Sequence, residues 1–296
     1  MSDHPSDRIV VGVDGSAASD AAVRWAARDA ALRNVELTLL HVVQLPAVSG
    51  VGYAIAPLPR EFIEQQRDEG QRVIDAAHRI VEADFSPSER VVLRDELVTA
   101  NPIPTLIDAT KDAQLIVVGS RGRGAWRRGL FGSASNGLVH HSHCPVAVIR
   151  DPADGRVEHE GPVVVGVDGS PASELAVAMA FDEASRRSAE LLAVHAWSDA
   201  VHSGIPVSAW PDFQPEAEET LAERMAGWQD RYPDVHVHRR VVFNQPARHL
   251  LEAAETAQLL VVGSHGRGGF AGMLLGSVSS TVVHATDTPV IVARRG

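Results

Sequence analysis

Glycines at a fixed spacing carry the clearest chemical signal in this chain. Gly119 and Gly122 are followed, after nine further residues, by the pair Gly132–Ser133. Glycine allows a close approach of the backbone, so that successive N–H groups can converge on an anion. Gly132–Ser133 also opens a predicted helix, whose N-terminus adds N–H donors and the positive end of the helix dipole. The pattern therefore predicts a site for a phosphate chain.

The same pattern returns in the second half of the chain, as Gly263, Gly266 and the pair Gly276–Ser277. A single glycine pair after a strand often only makes a turn, whereas a two-part pattern with one spacing in both halves is far more specific. Hydroxyl groups within the pattern can add donors to a phosphate, and they belong to Ser133, Ser135, Ser277 and Ser279. Each half is therefore predicted to bind the phosphate groups of a nucleotide.

An aspartate follows the first apolar run of each half, in the two GVDGS segments that contain Asp14 and Asp168. A carboxylate at this place would repel a phosphate unless it binds another group. Three partners suit it: a sugar hydroxyl, an adenine amino group or a phosphate-bound Mg²⁺. Two other phosphate motifs are absent from the sequence, because the chain has a single lysine, Lys111, and its first strand is not followed by G-x-G-x-x-G.

Histidines form two further patterns. The segment HHSHC at 140–144 has the residue types of a metal site, but the second half keeps only His284 of the set. His41 and His195 recur at the ends of the second predicted strand of each half, which favours a role in the fold or in the wall of a crevice. No set of nucleophile, base and orienting group is evident. The sequence therefore predicts no catalytic residue and no metal ligand.

Repeated strands and helices must position these residues. Residues 8–16 (RIVVGVDGS) match 162–170 (PVVVGVDGS), and 115–124 match 259–268. In each half, short apolar runs rich in β-branched residues alternate with segments of helical periodicity, in the order βαβ–αβ–αβ–αβ. Strands that are apolar on both faces and separated by helices indicate a parallel sheet with helices on both sides.

The predicted fold is an α/β fold of two tandem doubly wound domains, each with a five-stranded parallel sheet of strand order 3-2-1-4-5. Ligands of such a sheet bind beyond the carboxyl ends of the strands, where the winding reverses between strands 1 and 4. The aspartates follow strand 1 and the glycine segments follow strand 4. The predicted topology thus brings both motifs to one crevice.

The repeats also predict the domain boundaries. Domain 1 covers residues 1–150 and domain 2 covers 162–296, with a linker at 151–161 that is rich in proline, glycine and charge. The last strand of each domain, PVAVI or PVIVA, lies at a sheet edge, and an exposed apolar edge favours pairing. We therefore expect the two domains to pair through these strands, and the chain to form homodimers.

The composition excludes several classes of partner. With 27 basic and 38 acidic residues among 296, the formal net charge is −11. An acidic chain is a poor candidate for binding nucleic acids or anionic membranes, since both require a positive surface. No apolar run approaches the roughly 18 residues of a membrane span, and the single cysteine, Cys144, excludes an intrachain disulfide. The polar N-terminus lacks the apolar core of a signal peptide, so we expect a cytoplasmic protein.

From about Arg8 to about Arg294, the chain resembles the universal stress protein family in its tandem two-domain form. The features that carry the resemblance are GVDGS after strand 1 and G-x-x-G-x9-G-S after strand 4. In the ATP-binding branch of that family, the glycine motif wraps the phosphates and ribose, the aspartate contacts the nucleoside, and backbone near the end of strand 2 contacts adenine. The resemblance therefore implies two ATP sites, with or without Mg²⁺.

Matching sets of binding residues follow from this resemblance. In domain 1 they are Gly12, Val13, Asp14, Gly15, Val42, Gly119, Ser120, Arg121, Gly122, Arg123, Gly132, Ser133, Ala134 and Ser135. In domain 2 they are Gly166, Val167, Asp168, Gly169, Ala196, Gly263, Ser264, His265, Gly266, Arg267, Gly276, Ser277, Val278 and Ser279. Between the glycines, Trp126, Arg127 and Arg128 of domain 1 are bulkier than their counterparts. These arginines either strengthen phosphate binding or face solvent, so equal affinity of the two sites is not predicted.

Together these features predict an ATP-binding stress-response regulator that works as a nucleotide-dependent binding and signalling module. Hydrolysis needs a placed water and compensation of charge at the γ-phosphate, and no residue can be assigned to either task. The alternative is an enzyme that uses the same pocket, either a slow ATPase or a phosphoryl or nucleotidyl transferase. ATP, a second copy of the chain and unidentified proteins are the expected partners.

Overall fold

Short apolar strands alternate with helices in both halves of the chain, as the repeated pattern predicts. The protein is represented by a computed structural model, which describes residues 7–46, 58–85, 91–122, 131–151, 160–197, 210–267 and 274–294. Contacts divide the chain into two compact units, Met1–Leu138 and Val139–Gly296. The predicted linker at 151–161 lies mostly outside the described residues.

The first unit contains four parallel strands and the helices between them. In chain order the elements are β1 (Arg8–Gly12), α1 (Ala17–Arg33), β2 (Glu36–Val43), α2 (Arg60–Asp84), β3 (Leu93–Thr99), α3 (Pro102–Ala109), a 3₁₀ turn (Thr110–Asp112) and β4 (Leu115–Gly119). Helix α4 (Ser133–His141) begins in this unit and ends in the second.

The second unit repeats the alternation. Its elements are β5 (Val146–Ile149), β6 (Val163–Gly166), α5 (Pro171–Arg186), β7 (Leu191–Trp197), α6 (Trp210–Arg231), β8 (Val237–Phe243), α7 (Pro246–Ala254), β9 (Leu259–Gly263), α8 (Ser277–Ala285) and β10 (Val290–Ala293). None of the helices in the described ranges has the length and hydrophobicity that a bilayer-spanning segment requires.

Strand β1 lies at the centre of the sheet in the first unit. It pairs in parallel with β2 and β4, so that Val10 lies opposite Thr38 and Ile116. Strand β3 pairs in parallel with β2, and the order β3-β2-β1-β4 confirms the predicted winding. Ile9 and Val11 point to one face and Val10 to the other, and none of the three is more than 1% exposed. Both faces of this strand are therefore covered, which explains its continuous apolar run.

The sheet of the second unit has the order β8-β7-β6-β9-β10, which again confirms the predicted 3-2-1-4-5 arrangement. These five strands are parallel. Strand β5 pairs with β10 in the antiparallel sense, with Val148 opposite Val290 and Val146 opposite Val292. The prediction that the two terminal strands of the repeats pair is thus confirmed. The physical reason is that each strand presents an apolar edge whose backbone groups need partners.

Two ion pairs near the C-terminal ends of α1 and α5 are shielded from solvent. Nε of Arg33 is 2.8 Å from Oδ2 of Asp29, and Nε of Arg187 is 2.8 Å from Oε2 of Glu183. Both acids are 0% exposed. Each pair joins residues one helical turn apart, so the helix itself holds the two charges in contact. Such a buried carboxylate depends on its cation, since desolvation of an unpaired charge costs several kcal/mol.

Candidate functional site

A cavity of about 300 Å³ lies in the second unit at the carboxyl ends of β6, β7 and β9. This is the crevice in which the sequence analysis places a ligand. The predicted residues that line it are Gly166, Val167, Asp168, Ala196, Gly263, His265, Gly266, Arg267, Gly276, Ser277, Val278 and Ser279. Gly169 and Ser264 belong to the same two loops. The topology therefore brings together segments that are about a hundred residues apart in the chain.

The carboxylate of Asp168 joins the loop after β6 to the loop after β9. Its Oδ1 accepts a hydrogen bond from the N–H of Ser170 at 2.9 Å, and its Oδ2 accepts one from the N–H of Arg267 at 3.2 Å. Ser170 strengthens the link, because its Oγ donates to the carbonyl oxygen of His265 at 3.1 Å. The same Oγ caps α5 by accepting from the N–H of Ser173 at 3.2 Å. Both loops are thus fixed by hydrogen bonds at the edge of the cavity.

Close approach of backbone explains two of the glycines. A Cβ on Gly266 would lie 2.6 Å from Oδ2 of Asp168, and a Cβ on Gly263 would lie 2.7 Å from the carbonyl carbon of Ala172. Both distances are shorter than any side chain tolerates. Glycine is therefore required here so that the loop can reach the carboxylate and β9 can pack against the start of α5.

The first turn of α8 points N–H donors towards this loop region. Gly276 is the N-cap of the helix and makes no side-chain cap, while its own N–H donates to the carbonyl oxygen of Ser264 at 2.7 Å. The helix pattern leaves the N–H groups of Ser277, Val278 and Ser279 without intrahelical acceptors. The hydroxyl of Ser279 donates to the carbonyl oxygen of Gly263 at 2.5 Å, so its hydrogen is directed at β9. Backbone donors, rather than this hydroxyl, are what the helix offers to an anion.

An apolar wall completes the cavity, and the sequence analysis did not identify it. Trp197, Pro246, Leu250 and Val262 line the cavity, and Leu250 is 3% exposed. Ser173 and Val194, which the sequence analysis also did not name, are further lining residues. These residues come from β7, from α7 and from β9, except Ser173, which lies on α5. The position of Trp197 in the cavity wall could have been predicted from the sequence, because Trp197 directly follows the predicted contact residue Ala196.

His195 ties the end of β7 to the end of β6. Its Nδ1 lies 2.6 Å from the carbonyl oxygen of Val167. Because a carbonyl only accepts, Nδ1 carries the hydrogen, and Nε2 of the neutral ring remains an acceptor. Burial lowers the pKa of His195, and the charges of Arg267 and Arg224 lower it further, against opposing effects of Val167 and Asp168. The ring is therefore neutral near pH 7, and two arginines contribute positive potential at the cavity.

The first unit repeats the geometry around its own aspartate. The N–H of Ser16 donates to Oδ1 of Asp14 at 3.0 Å, and Oγ of Ser16 donates to the carbonyl oxygen of Arg121 at 3.2 Å. A Cβ on Gly122 would lie 2.5 Å from Oδ2 of Asp14. The other predicted residues lie on the same loops, on strand ends or in the first turn of α4; they are Gly12, Val13, Gly15, Val42, Gly119, Ser120, Gly132, Ser133, Ala134 and Ser135.

The two units differ at their second strand and following helix. Val43 holds the place of Trp197, so the first unit lacks an indole at this point. In the first unit, Val73 lies beside Gly15, the loop glycine that follows Asp14. In the second unit, Arg224 lies beside the equivalent Gly169. Arg224 also forms an ion pair with Glu174, with Nη1 2.8 Å from Oε1. Four residues between Gly122 and Gly132 that the sequence analysis considered lie outside the described residues; they are Arg123, Trp126, Arg127 and Arg128.

A sequence model of the universal stress protein family matches residues 5–150 and, separately, residues 161–294. The chain belongs to the universal stress protein family. The two matches account for the internal repeat, since each covers one copy. The resemblance inferred from GVDGS and the spaced glycines is thereby confirmed.

Relatives of this universal stress protein match nearly its full length. It is 52% identical to universal stress protein Rv2623 of Mycobacterium tuberculosis over 288 residues, which covers 97% of this chain and 96% of the relative. A universal stress protein of Mycolicibacterium smegmatis is 48% identical, with 97% and 96% of the two chains covered. The crystal structure of a universal stress protein from Archaeoglobus fulgidus superposes with a TM-score of 0.68 at 23% identity, covering 98% of this chain and 96% of that one.

Acid should destabilise this universal stress protein through His195. In the unfolded chain the ring has its ordinary pKa of 6.5, whereas burial lowers the pKa in the folded protein. Stability is therefore complete above pH 6.5 and is lost as the pH falls from there towards the lower folded pKa, because the unfolded state takes up the proton first. We expect His195→Asn, whose amide can still donate to Val167, to lose less stability on acidification.

Urea unfolding near pH 7.5 and near pH 5.5 measures this difference. His249→Asn is the matched control, because His249 lies on α7 in contact with Glu252 and is more exposed than His195. The control should keep the pH dependence of the wild type. If His195→Asn keeps it as well, His195 is not the group that titrates.

Proposed function

We propose that each half of this universal stress protein binds ATP and that the protein acts as a nucleotide-dependent binding module with little or no turnover. One site would lie in each of the domains 1–150 and 162–296. The observation that carries the proposal is the cavity of about 300 Å³ in the second unit, where the glycine loop, the aspartate and a helix N-terminus meet. Its volume falls at the lower end of the range of small-molecule sites.

The phosphate end of this proposed site is the glycine loop and the start of α8. Backbone N–H groups of the first helical turn and the helix dipole favour an anion. Arg267 lines the cavity, and both Arg267 and Arg224 lower the pKa of His195, which reflects their positive potential there. A Cβ at Gly266 would occupy the space against Asp168. The residues present therefore fit a phosphate chain held mainly by backbone donors.

The nucleoside end of the proposed site is the apolar wall. Trp197, Pro246 and Leu250 offer flat and aliphatic surface to a base, and Ala196 brings the backbone of β7 to the same wall. Each carboxylate oxygen of Asp168 accepts one backbone N–H and has a second lone pair for a ribose hydroxyl. Of the three partners considered for this aspartate, the sugar hydroxyl is the one we propose. Mg²⁺, if it accompanies ATP, would bind to the phosphate oxygens.

Binding without turnover is supported by how the titratable groups of the lining are engaged. Asp168 accepts two backbone N–H groups, and His195 donates to Val167. Neither side chain accepts a hydrogen bond from a serine hydroxyl or a cysteine thiol, among the hydrogen bonds of the described residues. His265, a third titratable residue of the lining, has its Nδ1 3.1 Å from Oγ of Ser264, and that serine is buried. An ATPase or transferase needs a group that positions the nucleophile and one that compensates charge at the γ-phosphate. A slow enzyme in the same pocket remains the alternative function.

Nucleotide content and stoichiometry test this proposal. Protein purified without added nucleotide is denatured, and the supernatant is chromatographed for adenine nucleotides. Protein stripped of nucleotide is then titrated with ATP in a calorimeter, where we expect two sites per chain. Absence of both bound nucleotide and heat would refute the proposal. Turnover near the roughly 1–100 s⁻¹ of kinases would favour the enzyme.

We propose that ATP binding changes how this protein associates with other proteins in the cytoplasm, where ATP is available. A second copy of the chain and unidentified protein partners are the proposed recipients of the signal. Light scattering of the purified protein with and without ATP tests the first of these. A mass that stays at that of the monomer, 31.6 kDa, under both conditions would exclude the homodimer.

A further inference from the structure

Two histidines and a glutamate come together at the amino ends of β7 and β8. His236 and His238 are two residues apart on an extended chain, so their side chains lie on the same face of the sheet. The N–H of Leu191 donates to the carbonyl oxygen of His236 at 2.9 Å, and this register sets Glu190 beside both histidines. Nε2 of His238 is 3.2 Å from Oε2 of Glu190, and the two imidazole centroids are 4.6 Å apart.

We propose that these three residues, the His–His–Glu cluster, bind a divalent transition-metal ion of the Zn²⁺ type. One ligand atom from each side chain lies within 4.8 Å of the other two. Two imidazole nitrogens and one carboxylate oxygen are a ligand set that Zn²⁺ takes in proteins, with the fourth position left to water. Ligand atoms around a tetrahedral ion stand about 3.3 Å apart. All three side chains are exposed, so small rotations close the gap and the ion can enter from solvent.

The cluster is separate from the cavity in the same unit. Glu190 directly precedes β7, and the first residue of this strand that lines the cavity is Val194, so three residues of the strand lie between cluster and cavity. At about 3.3 Å per residue, Glu190 and Val194 are roughly 13 Å apart along the strand. Imidazole ligands favour Zn²⁺ over Mg²⁺, so the cluster does not serve the ATP site. Arg240 is the next residue on this face, and its exposed charge is screened by solvent.

The equivalent strands of the first half lack this cluster. In the strand register, Val92 and Arg94 are equivalent to His236 and His238. Glu36 is equivalent to Glu190. Arg94 instead forms an ion pair with Glu96, with Nε 3.5 Å from Oε1. The equivalent strands therefore form without histidines, and an exposed ion pair within the cluster contributes little to stability. The fold does not require the cluster, so these three side chains are available to bind an ion.

Titration of chelator-treated full-length protein with Zn²⁺ alone tests the proposal. Calorimetry should show one ion bound per wild-type chain, and His236→Gln/His238→Gln should weaken binding at least about tenfold. The matched control is His249→Gln, which breaks another histidine–glutamate contact, at 3.2 Å from Glu252; within the described part of the chain this contact is not part of a three-residue ligand group. It should bind like the wild type. Co²⁺ in place of Zn²⁺ adds a spectroscopic readout, because tetrahedral absorption bands should appear in the wild type and not in the double variant.

Three results would overturn the proposal. The first is equal Zn²⁺ affinity of the wild type and the double variant. The second is loss of binding in His140→Gln/His143→Gln with normal binding in the double variant, which would assign the ion to the HHSHC segment. The third is competition by Mg²⁺ at concentrations equal to those of Zn²⁺, because that result indicates a site of oxygen ligands. The substituted histidines of the cluster are exposed, and circular dichroism checks that the variants fold.

Discussion

Gly266→Val should remove one of the two proposed ATP sites. A Cβ at this position would lie 2.6 Å from Oδ2 of Asp168, so the carboxylate or the loop has to move. Overpacking of this kind costs about 1–3 kcal/mol, which corresponds to a loss of affinity of roughly five- to 150-fold at that site. Calorimetric titration with ATP should therefore show one strong site per chain in place of two. The other half should bind as before, because its own loop is unchanged.

Two further variants make this result specific. Gly122→Val should remove the site of the first unit in the same way, since its Cβ would lie 2.5 Å from Oδ2 of Asp14. Gly227→Ala is the control, because a Cβ there meets nothing within 4 Å. It should leave both sites intact and stabilise helix α6 by about 0.5–1 kcal/mol. Two sites of wild-type affinity in both valine variants would show that these loops do not hold the nucleotide.

Arg187→Ala should cause a large loss of stability, because it removes the cation that is paired with a buried carboxylate. Arg187 neutralises Glu183, which is 0% exposed, through a contact of 2.8 Å. Removal of the guanidinium leaves a carboxylate in a buried position, which typically costs about 3–5 kcal/mol. The free energy of unfolding of the second unit, measured by urea titration, should fall by this amount.

The neighbouring Arg186 supplies the matched control on the same helix. Its contact with Asp182 is 3.0 Å long but solvent-accessible, with side chains 35% and 26% exposed. Arg186→Ala should therefore cost no more than about 1 kcal/mol. Glu183→Gln/Arg187→Met, which removes both charges, should recover much of the stability lost in Arg187→Ala. If Arg186→Ala and Arg187→Ala lowered the free energy of unfolding equally, burial of the acid would not determine how much each ion pair contributes to stability.

Local patterns were sufficient to predict the strand order of this protein. The run IVVG of β1 is apolar at every position, rich in β-branched residues and followed closely by a glycine turn, which is typical of a strand covered on both faces. The alternation with helices then allows few right-handed arrangements. The glycines of the loops were predictable for a similar reason. A side chain at position 266 would collide with the carboxylate of Asp168, so this restriction is visible in the residue type itself.

Side-chain partners were not predictable in this way. The hydroxyl of Ser279 was expected to face a phosphate, and it donates to the carbonyl oxygen of Gly263. Ser135 does the same towards Gly119 at 2.8 Å. A serine in the first turn of a helix can turn its hydroxyl either way at little cost. Which acceptor it meets depends on the strand that packs beneath the helix.

The sequence by itself determined the repeat, the strand order and the loops that carry the glycines and aspartates, because these follow from residue type and spacing within short segments. Only the tertiary structure decided that Trp197 and Leu250 form one wall, that Arg224 lies near His195, and that Glu190 meets His236 and His238. These groups come from different strands and helices. Their contacts depend on the register between strands and on the packing of helices, which residue spacing along the chain does not specify.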